Sequence, residues 1–226
     1  MRLGVLFSGG KDSTYALMKA MRKEDVSCLI SIFSENKESY MFHTPNIEVT
    51  NLQAQSIGLP HAKKATAGVK DGELADLKGA ITEAVEDYGI EGVVSGAIES
   101  VYQAKRLQVI CDELGLWCFN PLWKKDQPEL LNEILEQKFK VIISGVSAYP
   151  FDETWLGREI DENMVRELIT LRDKHGISPS GEGGEIETCV LDAPIFKKRV
   201  EVVEYEKYFS GNSGIFAIKK ARLAGK

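Results

Sequence analysis

Cysteine and histidine are scarce in this chain of 226 residues: four Cys, three His and no Cys-x-x-Cys pair. That excludes a disulfide framework and zinc-finger spacing. Cys28, Cys111, Cys118 and Cys189 read as buried reduced thiols, and His43, His61 and His175 match no motif. Positive charge is also short, with 28 Lys and Arg against 34 Asp and Glu and a net charge of −6. Such a balance speaks against gripping nucleic acid through phosphates as the main task, although a local basic patch stays open. No apolar run approaches the roughly 20 residues of a membrane helix. The start, Met1 to Phe7, has the positive and apolar parts of a signal peptide but is too short for one and runs straight into Ser8-Gly9-Gly10. A cytoplasmic protein is expected.

What is present suits a globular domain: 43% hydrophobic and 27% charged residues. Short apolar runs alternate with amphipathic stretches. Leu3–Phe7, Cys28–Phe33, Gly92–Ser95, Trp117–Phe119 and Val141–Val146 read as strands, and His61–Ala65 as a weak one. Thr14–Glu24, Ile47–Ile57, Pro128–Gln137 and Glu162–His175 read as helices. Leu74, Leu77, Ile81, Val85 and Tyr88 form one helical stripe, and Val101, Ala104, Leu107, Cys111 and Leu114 another. Glu35–Pro45 reads as a polar loop. The alternation predicts an α/β fold: a doubly wound, mostly parallel sheet of five or six strands with helices on both faces. After residue 150 the texture changes to a Gly-, Ser- and Glu-rich stretch, Ser178–Glu187. Two β-rich runs, Val200–Phe209 and Ile215–Leu223, then flank a turn and predict a terminal hairpin. The division expected is 1–150 for a nucleotide-binding domain and 151–226 for a substrate-side region.

The first strand ends in Ser8-Gly9-Gly10-Lys11-Asp12-Ser13 and leads into a helix. Glycines admit a phosphate close to the backbone, and a helix N-terminus adds N–H donors and a favourable dipole. Lys11 can add a point charge, and Ser8 and Ser13 hydroxyls. The spacing is neither a Walker A loop nor a G-x-G-x-x-G turn. A plain tight turn capped by Asp12 or Ser13 would account for one polar residue rather than the set.

Ser8 to Ser13 resembles the S-G-G-x-D-S loop of PP-loop ATP pyrophosphatases, which have a HUP-like α/β fold. Ser95-Gly96-Ala97-Ile98-Glu99-Ser100-Val101-Tyr102-Gln103-Ala104-Lys105-Arg106 resembles the S-G-A-I-x-S-x-Y-Q-x-x-R segment of diphthine–ammonia ligases, and Pro121-Leu122-Trp123 their P-L-W. Glu182-Gly183-Gly184-Glu185-Ile186-Glu187-Thr188, continuing to Leu191-Asp192-Ala193-Pro194, resembles their E-G-G-E-Y-E-T signature, with Ile186 in place of the aromatic. That departure puts any role of the ring in doubt. The likeness spans residues 1 to about 200. It points to a short archaeal-type form, without the extra C-terminal domains that eukaryotic members often carry.

The resemblance implies an AMP-forming C–N ligase. ATP and Mg²⁺ would serve to adenylate the carboxylate of diphthine on elongation factor 2, and ammonium would displace AMP. It implies a nucleotide site at Ser8, Gly9, Gly10, Lys11, Asp12, Ser13, Ser95, Gly96 and Ala97, with Asp12 toward Mg²⁺. It implies a substrate site at Ser100, Tyr102, Gln103, Arg106, Trp123, Glu182, Gly183 and Gly184, and catalytic roles for Lys11, Asp12, Glu185 and Glu187. Ser100, Gln103 and Arg106, three apart, would share one helix face toward the cleft. Tyr102, Tyr149, Trp123 and Trp155 are the aromatics open to a trimethylammonium contact. Glu185 and Glu187 are expected to act as a unit at the cationic substrate end rather than in ATP docking. Two alternatives stay open: a tRNA-modifying enzyme of the same superfamily, and a non-catalytic nucleotide-binding module. The sequence is silent on oligomeric state, and a homo-oligomer stays open.

Overall fold

The computed structural model describes residues 1–34, 45–67 and 72–226. Most of the expected Glu35–Pro45 loop, with His43, lies outside the described residues. The elements run β1 (Arg2–Leu6), α1 (Lys11–Met21), β2 (Asp25–Ser34), α2 (Thr50–Ile57), β3 (His61–Thr66), α3 (Glu73–Tyr88), β4 (Gly92–Val94), α4 (Val101–Leu114), β5 (Trp117–Phe119), α5 (Gln127–Glu136), β6 (Lys140–Val146), α6 (Glu162–His175), β7 (Ile186–Asp192), β8 (Arg199–Ser210) and β9 (Ser213–Ala224). Short 3-10 turns occupy Ile47–Val49, ahead of α2, and Glu153–Trp155.

β1 to β5 form one parallel sheet in the order β3-β2-β1-β4-β5. β1 is the middle strand, and its Leu3 and Val5 are buried. Leu17 and Met18 of α1 and Leu130 and Ile134 of α5 belong to the core on one face of this sheet. Leu77 and Ile81 of α3 and Leu107 and Cys111 of α4 pack with Cys28, Ile30 and Ile32 on the other. The doubly wound architecture follows from the sequence pattern, with five strands. The chain leaves β1 for β2 on one side and comes back to β4 on the other. This reversal opens a crevice at the carboxyl ends of β1 and β4, where open α/β sheets bind ligands.

The strand at 140–146 departs from the expected parallel sheet. β6 pairs antiparallel with β7 and β9 in a second sheet of order β7-β6-β9-β8. A run of buried apolar residues reads alike in either setting. β7 lies partly in the stretch read as a Gly-rich loop, and its Ile186, Thr188, Cys189 and Val190 are buried. One continuous core joins α1, β6, α6 and β7, so the second sheet packs on the α/β layer. The predicted hairpin is β8 and β9, closed at Gly211-Asn212. Gly211 has φ 61°, the glycine-first arrangement of a two-residue hairpin turn.

The segment after β4 crosses the start of α1 closely. A Cβ on Gly96 would lie 2.8 Å from the Asp12 carbonyl carbon and 2.8 Å from the Ser13 nitrogen. Both are backbone atoms and cannot swing aside. Gly96→Ala should therefore cost about 1–3 kcal/mol in urea unfolding. An unchanged midpoint would contradict this packing.

Candidate active site

The Ser8–Ser13 turn sits at the carboxyl end of β1. Gly10 caps α1 with extended backbone and no side-chain cap bond, so neither Asp12 nor Ser13 is the cap. Ser13 Oγ instead donates to the Gly10 carbonyl at 3.1 Å and accepts the Ser8 N–H at 3.3 Å. Gly9 takes φ 78°, where a Cβ would strike Gln53 Oε1 at 2.3 Å. Fully buried Gln53 donates through Nε2 to the carbonyls of Gly9 at 3.0 Å and Val190 at 2.7 Å. The Val190 N–H also donates to Gly9 O at 3.0 Å, and the Lys11 N–H to Thr188 Oγ1 at 3.1 Å. β7 thus braces the turn from behind.

Lys11 departs from expectation. Its side chain is 2% exposed and does not line the cavity. Its ammonium donates to Ser180 O at 2.5 Å and to Asp12 Oδ2 at 2.8 Å. A buried ammonium needs such partners, because an unpaired charge in the interior is costly. The lysine therefore ties the first turn to the glycine loop rather than offering a free charge to a phosphate.

The glycine loop folds over the start of α4. Gly181 and Gly184 take φ 77° and 82°, the left-handed region. Glu182 Oε1 accepts the N–H groups of Ile98 at 3.2 Å, Glu99 at 2.8 Å and Ser100 at 2.8 Å. Glu185 Oε1 accepts the Ser178 N–H at 2.9 Å, while its buried Oε2 has no partner. Glu187, on β7 opposite Gly145, faces the cavity. The expected Glu185–Glu187 unit is therefore divided: Glu185 serves the loop and Glu187 the cavity.

A cavity of about 440 Å³ joins these parts, within the usual size of small-molecule sites. Ser8, Asp12, Ser13, Ser95, Gly96 and Ala97 line its middle, and Ile30, Ile32, Leu77 and Leu107 give it an apolar wall. Ser100, Tyr102, Gln103 and residues 181–184 form its other side, with Glu187. Ser95 Oγ is held on Asn120 Oδ1 at 2.5 Å, and Ser100 Oγ caps α4 by accepting the Gln103 N–H.

Of the helix face expected to point in, Ser100 and Gln103 reach the cavity and Arg106 does not. The Arg106 guanidinium lies over the Tyr102 ring at 3.2 Å, and its buried Nε has no hydrogen-bond partner. Trp123 is 37% exposed beside Lys124, outside the cavity lining. Trp155 is core against Phe151, and Tyr149 packs edge-on to His175 at the surface. Ile186 is buried in the main core, away from the cavity lining.

Two carboxylates of the cavity titrate abnormally. Burial raises Asp12, while Lys11 opposes the rise. Burial also pushes Glu187 up to about 7, with Lys11 pulling down and the Asp12 charge adding to the rise. Asp12 Oδ1 is buried without a hydrogen-bond partner. An orphan carboxylate oxygen in the first turn of a helix, where N–H donors suit phosphates, fits Mg²⁺, which takes one or two carboxylates and draws other ligands from phosphate and water. Among the described residues there is no group of three or more His, Cys, Asp and Glu that could hold a metal by itself.

Sequence reasoning missed Gln53, Ser180, Gln127 and Asn120. Their partners are 44, 169, 53 and 25 residues away, so no local pattern marks them.

Fold and site together define an α/β protein with a glycine turn and a helix N-terminus beside a cavity at the switch point of a parallel sheet. The family model described as the diphthamide synthase N-terminal domain matches residues 1–118, and that of the C-terminal domain matches 126–224. The chain belongs to the diphthamide synthase family. It is 32% identical to the diphthine–ammonia ligase of Mus musculus over 99% of this chain and 91% of that protein. The Homo sapiens protein of that name is 32% identical over 89% of this chain and 83% of its own length. The Schizosaccharomyces pombe one is 33% identical over 91% of this chain but 37% of its own. Eukaryotic relatives thus include both comparable and much longer chains.

Lys11→Ala strands Asp12 and Ser180 and should cost about 3 kcal/mol in urea unfolding, the scale of breaking a buried pair. A loss within about 0.5 kcal/mol, as at an ordinary surface site, would refute the burial. Glu187 gives the opposite sign. Its folded pKa lies above the unfolded value, so its favourable contribution is complete below about 4.5 and is lost as pH rises through about 7. Glu187→Gln should therefore be more stable than the parent at pH 8, by roughly 1–3 kcal/mol, with the gap closing toward pH 4.5. Parallel stability–pH curves would show that the Glu187 carboxylate is not raised.

Proposed function

We propose that this chain is an ATP-dependent ligase that joins ammonium to the carboxylate of diphthine on elongation factor 2. The observation that carries the reading is a single cavity with three chemically distinct parts, in a chain of the diphthamide synthase family. Ile30, Ile32, Leu77 and Leu107 suit a nucleobase. The first turn and the N-terminus of α1 suit phosphates. Glu187 gives the remaining end a carboxylate.

A carboxylate oxygen of diphthine attacks the α-phosphorus and pyrophosphate leaves. Ammonia then attacks the acyl carbon and AMP leaves. Asp12 Oδ1 is the protein atom that would hold Mg²⁺, which when bound offsets charge on the phosphates. Glu187 binds the ammonium and takes a proton from it, and a carboxylate that titrates near neutrality suits that exchange. Lys11 keeps Asp12 Oδ2 occupied and so leaves Oδ1 as the oxygen without a partner. Ser100, Tyr102 and Gln103 line the side from which the protein-borne substrate enters.

Incubation with ATP, ammonium and diphthine-bearing elongation factor should yield the amide by mass spectrometry, with AMP and pyrophosphate. ADP with phosphate would overturn the reading. Glu187→Gln should keep ATP affinity while amidation falls about ten- to a hundredfold, the scale of one charge-assisted contact. Equal loss of both would move Glu187 to the nucleotide.

A further inference from the structure

We propose that Gln127, which lies outside the cavity, is a positioning residue for amidation. The proposal rests on the ligase reading. Gln127 is the first residue of α5. Its Oε1 accepts Ser178 Oγ at 2.7 Å, Ser180 Oγ at 2.8 Å and the Ser180 N–H at 3.1 Å. Its Nε2 donates to Glu99 Oε2 at 3.2 Å. Donors at one end and an acceptor at the other orient the amide.

Each partner leads on to the site. Ser180 is 2% exposed, and its carbonyl receives the Lys11 ammonium that also holds Asp12. Ser178 Oγ accepts the Glu182 N–H at 2.9 Å, and the Ser178 N–H goes to Glu185. Glu99 belongs to the turn whose N–H groups hold the Glu182 carboxylate. One side chain on α5 thus fixes the start of the glycine loop, and residues 181–184 of that loop are cavity wall. Without its amide, the buried Ser180 and half-buried Ser178 groups lose their acceptor, and the Lys11 carbonyl partner is free to shift. An error on the order of 1 Å at reacting groups costs about a hundredfold.

The test compares Gln127→Leu with Gln127→Glu in the full chain. Glu keeps the accepting end but would set a carboxylate against that of Glu99, so Gln127→Glu is made together with Glu99→Gln, whose amide can donate to the new carboxylate. Gln127→Leu should lower AMP formation at saturating ATP, ammonium and substrate by about ten- to a hundredfold. Its ATP dissociation constant should stay near that of the parent, while hydrogen exchange at the Ser180 amide becomes faster. Gln127→Glu with Glu99→Gln should restore both turnover and protection. Parental turnover in Gln127→Leu overturns the proposal, as does a Gln127→Glu, Glu99→Gln variant as impaired as Gln127→Leu. A parent chain that forms no AMP overturns the ligase reading instead, and the Ser180 exchange rates then decide whether Gln127 fixes the glycine loop.

Discussion

The ammonium of Lys11 is the point on which the site depends. It sits in the interior with an exposure of 2% and must be compensated there. Compensation comes from the next residue in sequence, Asp12, and from Ser180, far along the chain. The N–H of the same lysine is held by Thr188 on β7. A single residue thus fastens the first turn of the parallel sheet to the antiparallel sheet and to the glycine loop. Neither half of the chain could build this cavity alone, because the turn comes from residues 8–13 and the facing wall from residues 181–187.

The glycines of the loop make that closure feasible. Gly181 sits so close to Ile186 that a Cβ would lie 2.4 Å from its carbonyl oxygen, and its φ of 77° excludes most side chains at little gain. With Ile186 buried beneath, the chain turns sharply enough for Glu182 to reach the N–H groups at 98–100. The N–H groups just ahead of α4 are thereby taken up by the protein itself, while the start of α1 borders the cavity through Asp12 and Ser13. The isoleucine in place of an aromatic is a core residue here, consistent with packing as the demand at that position.

Much of this was legible in the sequence. The β1–turn–α1 unit announced itself because a short apolar run, paired glycines and a helical stripe are all local signals. Helix ends were legible for the same reason, and Gly89 and Gly115 stand where the stripes stop. β6 was legible as a strand but not in its sheet, since apolar runs carry no information about partner direction. Lys11 was legible as a site residue but not in its orientation, which is set by Ser180 at a separation of 169 residues. The split between Glu185 and Glu187 was hidden for a subtler reason. Spacing of two puts side chains on one face only within a strand, and β7 begins at Ile186, after the first of the two.

The four carboxylates Asp12, Glu182, Glu185 and Glu187 therefore divide into three kinds, decided by neighbours rather than residue type. Glu182 is held by backbone N–H groups and Glu185 by Ser178, so both act as structure. Asp12 has one oxygen on Lys11 and one unpaired. Glu187 is half-buried at the cavity, with only the pull of Lys11 to favour its charge. Four free negative charges at one cavity would be costly, because like charges raise one another's cost of ionisation. Tying up two of them and pairing a third halfway lowers that repulsion to a level a bound cation can offset. The fourth, Glu187, is raised to about 7 by burial and so changes charge near neutral pH, a property that suits a proton acceptor.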